Sequence, residues 1–145
     1  MRKWLYCFLA LSVMFACKEK VEEVVDAKYP DGSKKMVHYY KEEGKTKILV
    51  KEIKYYENHQ KQYVGELNNQ IRDGKWTFWR RDGKLWSEGE FKNGKRNGKG
   101  TVFHENGKIF YECEYKDDER CGIWRFYDDK GKFIKEINYD ELNSK

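Results

Sequence analysis

Hydrophobic and polar positions recur along this chain with a fixed period. GKWTFWRRDGKLWSEGEFKNGKRN from position 74, GKGTVFHENGKIFYECEYKDDERC from 98 and GIWRFYDDKGKFIKEINYD from 122 align without a gap, each start 24 residues after the last. Inside each unit a second glycine follows nine residues on, at Gly83, Gly107 and Gly131, and a lysine follows each of these at Lys84, Lys108 and Lys132. Glutamate recurs at Glu88, Glu112 and Glu136, and an aromatic at Phe91, Tyr115 and Tyr139. An unbroken period in this range marks a repeat architecture. A decayed copy occupies 51–73, with His59 at the place of the inner glycine and Gly65, Glu66 and Leu67 matching Gly89, Glu90 and Phe91. Further upstream, YPDGSKKMVHYYKEEGKTK reads as a divergent lead-in pair of strands, so the repeats are expected over 29–140, with a short tail at 141–145.

Each unit reads as a β-hairpin. WTFW and LWSEGEF are rich in aromatic and β-branched residues, and RRDGK between them holds an Asp-Gly pair whose glycine takes positive φ without penalty. The equivalents are HENGK and DDKGK, and polar loops such as Asn93 to Asn97 are expected to link one hairpin to the next. No run of period 3.6 survives the glycines. The predicted fold is all-β: an elongated antiparallel meander of repeated hairpins forming one curled sheet. Alternation on the second strands puts Leu85, Ser87, Gly89 and Phe91, with their equivalents, on the better core face, and Trp86, Glu88 and Glu90 on the other. A two-residue turn at Asp82-Gly83 would set Trp76 opposite Gly89, Gly100 opposite Cys113 and Trp124 opposite Ile137. Where the tryptophan becomes Gly100, the facing glycine becomes the larger Cys113, as compensating volumes would require.

The N-terminus departs from this pattern. Arg2 and Lys3 precede an apolar run from Trp4 to Ala16, too short for the roughly 20 residues a spanning helix needs. The run ends in MFAC, which resembles a bacterial lipobox with Met14 where leucine is usual. Residues 1–17 are therefore expected to be a lipoprotein signal, with Cys17 the lipidated residue that holds the protein on a membrane, and 18–28 a flexible linker. This places the protein at the cell envelope, in the periplasm or on the surface, and KEKVEE after Cys17 weakly resembles a surface-export signal.

Composition narrows the picture. Charged residues make up 38% of the 145, yet aromatics reach 17%, enough to build an ordered, polar-surfaced β protein rather than a disordered chain. The net charge of +5 falls to +3 once Arg2 and Lys3 leave with the signal, too little to argue for nucleic acid. Processing leaves Cys113 and Cys121 as free thiols in an oxidising compartment, a candidate disulfide across a hairpin loop.

The repeated GKWTFW, DGKLWSEGEF and NGKRNGKG segments resemble the MORN-repeat superfamily, and more closely its bacterial variant of YwqK-type antitoxin proteins. The resemblance implies a curled antiparallel sheet serving as a binding or scaffold surface. Departures are Gly100 in place of tryptophan, His59 in place of the turn glycine, and DDER in place of a glycine-bearing loop.

Catalytic chemistry finds no foothold. NGKRNGKG encloses too few residues for a Walker A loop, and Phe103 stands where a dinucleotide motif needs glycine. His38, His59 and His104 sit on different units without metal-ligand spacing, so neither a metal nor a cofactor is expected. Glu88, Glu112 and Glu136 read as a structural ladder beside lysine and arginine of neighbouring strands. Ser87 lacks a His-Asp context. The reading is a lipid-anchored, non-enzymatic binding or scaffold module with an unknown protein partner, met through exposed aromatics on the less apolar face: Trp79, Trp86, Phe103 and Phe110. The alternatives are a neutraliser of a protein toxin, or a binder of anionic lipid or polysaccharide.

Overall fold

The computed structural model describes residues 21–144, so the signal segment and Cys17 lie outside the described residues. Ten strands run in chain order through a single sheet: β1 (Val21–Lys28), β2 (Lys34–Glu43), β3 (Thr46–Tyr55), β4 (Lys61–Asn68), β5 (Ile71–Trp79), β6 (Leu85–Lys92), β7 (Lys95–Phe103), β8 (Ile109–Lys116), β9 (Glu119–Tyr127) and β10 (Phe133–Asn138). Each pairs antiparallel with the next, giving an all-β meander. Two boundaries differ from expectation. The stretch read as a linker, 18–28, holds β1, whose VEEVVDAK pairs with β2 from Val21↔Lys41 to Lys28↔Lys34. The expected tail instead contains most of α1 (Tyr139–Asn143), started by Asn138, whose side chain accepts from the Asp140 N–H.

Two kinds of turn alternate. Between β1 and β2, and within every later unit, the fourth loop residue donates to the carbonyl of the first, and the first donates to the carbonyl of the fifth. Examples are Gly83 N–H to Arg80 at 2.9 Å and Arg80 N–H to Lys84 at 2.8 Å. This is a type I turn closed by a left-handed residue, not the two-residue turn expected at Asp82-Gly83. The expected register survives because a second irregularity near Leu85 restores it: Phe78↔Ser87, Trp76↔Gly89, Gly100↔Cys113 and Trp124↔Ile137 all form. The tight turns lie between units. Asn69-Gln70, Asn93-Gly94 and Asp117-Asp118 hold positive φ at both positions, so the segment expected to be a five-residue loop is two residues long and β7 begins at Lys95. Asn, Asp and Gly, the residues that tolerate this conformation best, fill five of the six positions, and Gln70 is the exception.

The opening glycine of each unit also has a defined place. Gly74, Gly98 and Gly122 hold φ of +88°, +115° and +62°, and a Cβ there would crowd the carboxylates of Glu66, Glu90 and Glu114. Units are tied together along the turn edge by side chains reaching the next unit's backbone. The Tyr29 hydroxyl donates to Tyr55 C=O at 2.7 Å, the Tyr56 hydroxyl to Trp79 C=O at 3.0 Å and the Arg80 guanidinium to Phe103 C=O at 2.9 Å. His104 Nε2 meets Tyr127 C=O at 3.0 Å.

The core changes sides along the sheet. Val37, Ile53, Val64, Thr77, Glu88, Thr101, Glu112 and Arg125 pair directly strand to strand, so they share one face. On that face Val37 and Ile53 are buried, but from β5 onward the row is polar. The neighbouring row, on the other face, carries the buried Trp76, Cys113 and Trp124. The polar row forms the expected ladder at two of its glutamates, where Lys75 meets Glu88 at 2.7 Å and Arg125 meets Glu136 at 3.6 Å, while Glu112 accepts instead from the Tyr127 hydroxyl at 2.8 Å.

Candidate binding site on the tryptophan face

Trp76 shows how a complete unit is built. Its indole lies back over β4, where a Cβ on Gly65 would collide with the ring, and its N–H donates to Glu66 C=O at 2.9 Å. Tyr63, Phe91 and Phe78 surround it at 5.5, 5.9 and 6.1 Å between ring centroids, and the Arg72 guanidinium sits 4.1 Å over the indole. Trp124 repeats the pattern two units on. Its N–H donates to Glu114 C=O at 3.1 Å, Tyr111 lies nearly parallel at 5.5 Å, and Tyr115, Tyr139 and Arg120 close around it at 5.1 to 5.2 Å.

The site between them, built from β6 and β7, breaks the pattern at three positions. Gly100 takes the place of the tryptophan, Ser87 stands where its neighbours have Tyr63 and Tyr111, and Val102 stands where they have Phe78 and Phe126. The combined loss of ring volume leaves a cavity of about 530 Å³. Phe78 and Phe91 wall it from β5 and β6, Tyr111 and Tyr115 from β8, and Gly89, Gly100 and Cys113 line its base. Arg96 lines it too, lying 4.1 Å over the Tyr115 ring with its Nε held 3.0 Å from Asp118. The hydrogen bonds from Arg96, backbone first and side chain second, hold the Asp118 carboxyl below its usual range.

Cys113 leans toward Gly100, as the volume argument anticipated. A Cβ on Gly100 would stand 3.0 Å from its sulfur. One sulfur is far smaller than an indole, however, so the compensation is partial and the cavity persists. Burial pushes the Cys113 thiol up to about 11, which keeps it protonated and non-nucleophilic at neutral pH, and burial likewise raises Tyr111 and Tyr115. The candidate disulfide does not form, since both cysteines are free. Cys121 pairs with Glu114, one residue beyond Cys113 in β8, and the pleat sends the two thiols to opposite faces.

The aromatics chosen from sequence divide. Trp86, Phe103 and Phe110 line the cavity, and Trp86 and Phe110 are the exposed pair, at 47% and 40%. They therefore stand with the tryptophan face and not on the opposite one. The irregularity after each long turn adds a residue to the second strand and turns its first aromatic toward the cavity, where Trp86 meets Phe78 at 6.4 Å and Phe110 meets Tyr111 at 5.3 Å. Trp79 does not line the cavity and carries the Lys61 ammonium 6.0 Å over its ring. Sequence reasoning assigns Phe91, Tyr111 and Tyr115 to the core and Arg96 to an inter-hairpin loop, and so misses all four as site residues. Aligning Ser87 and Val102 with the flanking units would have exposed the site. Among the described residues no cluster of three metal-ligating side chains occurs, and no helix is long and apolar enough to cross a membrane.

No curated protein matches the sequence. Two solved structures align over 86% of this chain, the crystal structure of TarM and that of a point mutant of S. aureus TarM in complex with fondaparinux, alpha-GlcNAc-glycerol and UDP. Each does so at 16% identity and a TM-score of 0.36, and this chain spans about 20% of their length. The β5–β6, β7–β8 and β9–β10 hairpins, residues 72–93, 96–117 and 120–141, match the family profile of the MORN repeat variant.

Proposed function

We propose that this protein is a non-enzymatic binding module, held at the cell envelope by lipid on Cys17, that offers its β-repeat sheet to a protein partner. The observation that carries the reading is the 530 Å³ aromatic-walled cavity on the tryptophan face, rimmed by the exposed Trp86 and Phe110. A concave, mostly apolar site with a few polar groups at its edge suits ligand capture, and exposed aromatics make effective contact anchors. The MORN repeat variant units supply a rigid frame for it.

Crosslinking from intact membranes, with Trp86→Ala/Phe110→Ala as control, tests the binding reading. A specific partner lost in the double variant supports it, and the absence of any specific crosslink refutes it. Labelling with radioactive palmitate tests the anchor separately: wild type should label and Cys17→Ala should not. Toxicity on deleting this gene alone would instead identify a neutraliser of a toxin.

A further inference from the structure

The walls of the cavity are built for a particular group. On either side, the same repeat position holds an indole under the same conditions: aromatic rings at 5 to 6 Å, a guanidinium over the face, and one backbone carbonyl accepting the ring N–H. At the middle site the guanidinium, the carbonyl and one pair of rings recur. Tyr115 corresponds to Phe91 beside Trp76 and to Tyr139 beside Trp124, Phe91 corresponds to Tyr115 beside Trp124 and to Leu67 in the Trp76 unit, Arg96 corresponds to Arg72 and Arg120, and Glu90 corresponds to Glu66 and Glu114, whose carbonyls accept the two indole N–H groups. Only the ring of residue 100 and the rings at 87 and 102 are replaced by smaller groups. Gly89 beneath the site has no Cβ to obstruct a ring, and a Cβ there would meet only backbone at 3.8 Å.

Resting on the binding-module reading, we infer that the cavity takes a tryptophan side chain of the partner polypeptide, which completes the aromatic row that Gly100 interrupts. The indole stacks between Phe91 and Tyr115 under the Arg96 guanidinium and donates its N–H to Glu90 C=O. Trp86 and Phe110 then cover the backbone of the incoming segment. Because the slot is preformed by two flanking units, little ordering is required of this chain on binding.

The probe is N-acetyl-L-tryptophanamide, titrated into the full-length ¹⁵N-labelled chain and followed by amide shifts. Saturable shifts centred on Gly89, Gly100 and Val102 are expected. Binding of the 1-methylindole analogue should be about tenfold weaker, the cost of one lost hydrogen bond. Gly100→Trp, which supplies from the chain itself the indole that the flanking units hold at this position, should abolish the shifts while leaving the fold intact. Gly89→Ala provides the same test should Gly100→Trp perturb folding, because its Cβ would stand where Gly65 leaves room for the Trp76 indole. No saturable shift, equal binding of the methylated analogue, shifts that persist in both variants, or an oligosaccharide perturbing the same amides in place of the indole would each overturn the inference. The two readings fail differently. A partner still captured by Gly100→Trp removes the tryptophan slot and leaves the binding module standing, whereas no specific partner removes the module itself.

Discussion

Trp76 and Gly100 hold the same position in successive units, and the sheet around them differs accordingly. At Trp76 the indole is fully buried, its N–H is bonded, and Gly65 gives up its side chain to make room. At Gly100 three ring positions shrink together, and the sheet keeps its register without them: Gly89↔Gly100 and Gly100↔Cys113 pair as their equivalents do. The backbone of a unit is thus specified by its turns and bulge glycines, while its ring column is free to vary. In a single-layered sheet that freedom turns core into a site.

Trp76→Ala removes a fully buried ring and its hydrogen bond, and chemical denaturation should show a loss of about 3–5 kcal/mol; Gly100→Ala, meeting Cys113 Sγ at 3.0 Å, should cost far less. Gly65→Ala forces a Cβ into the Trp76 indole and should cost about 1–3 kcal/mol, whereas Gly89→Ala, at the corresponding place under Gly100, should be nearly neutral. Ser87→Tyr should raise stability by about 0.5–1.5 kcal/mol through new ring pairs; a drop in melting temperature would show that the middle unit is not a depleted copy of its neighbours.

The smallest effect concerns pH. Burial places the Cys113 thiol at about 11, above its unfolded value near 8.5. A raised pKa means the neutral thiol stabilises the fold fully below pH 8.5 and this contribution is lost as pH rises toward 11. Cys113→Ala should therefore flatten the alkaline limb of stability in that window. At pH 8, maleimide should label Cys121 well before Cys113.

Much of this architecture was legible in the chain. The 24-residue period and the Asp-Gly and Asn-Gly pairs specified hairpins, their order and the interior register. Local geometry decides these features, because a left-handed backbone position accepts few residues. Other features were not legible, for reasons that particular residues show. His59 adopts φ +66° in a turn its neighbours make with glycine, supported by a 3.2 Å contact with Asp31 from the unit before. Tyr29, Tyr56, Arg80 and His104 perform one bridging task with three chemistries, so no sequence column reveals it. The β1 strand, rich in acids, gains its place only by pairing with β2, where Lys34 meets Glu23.

Turn chemistry and alternation act over a few residues, so the chain alone specifies a repeated antiparallel meander and marks Gly100 and Cys113 as its irregular pair. Tertiary structure decided which face each ring joins, that the two cysteines stand apart, and that Gly100, Ser87 and Val102 open one cavity. Those outcomes depend on bulges that rotate side chains across the sheet and on volumes summed over three strands, quantities that no single stretch of the chain contains.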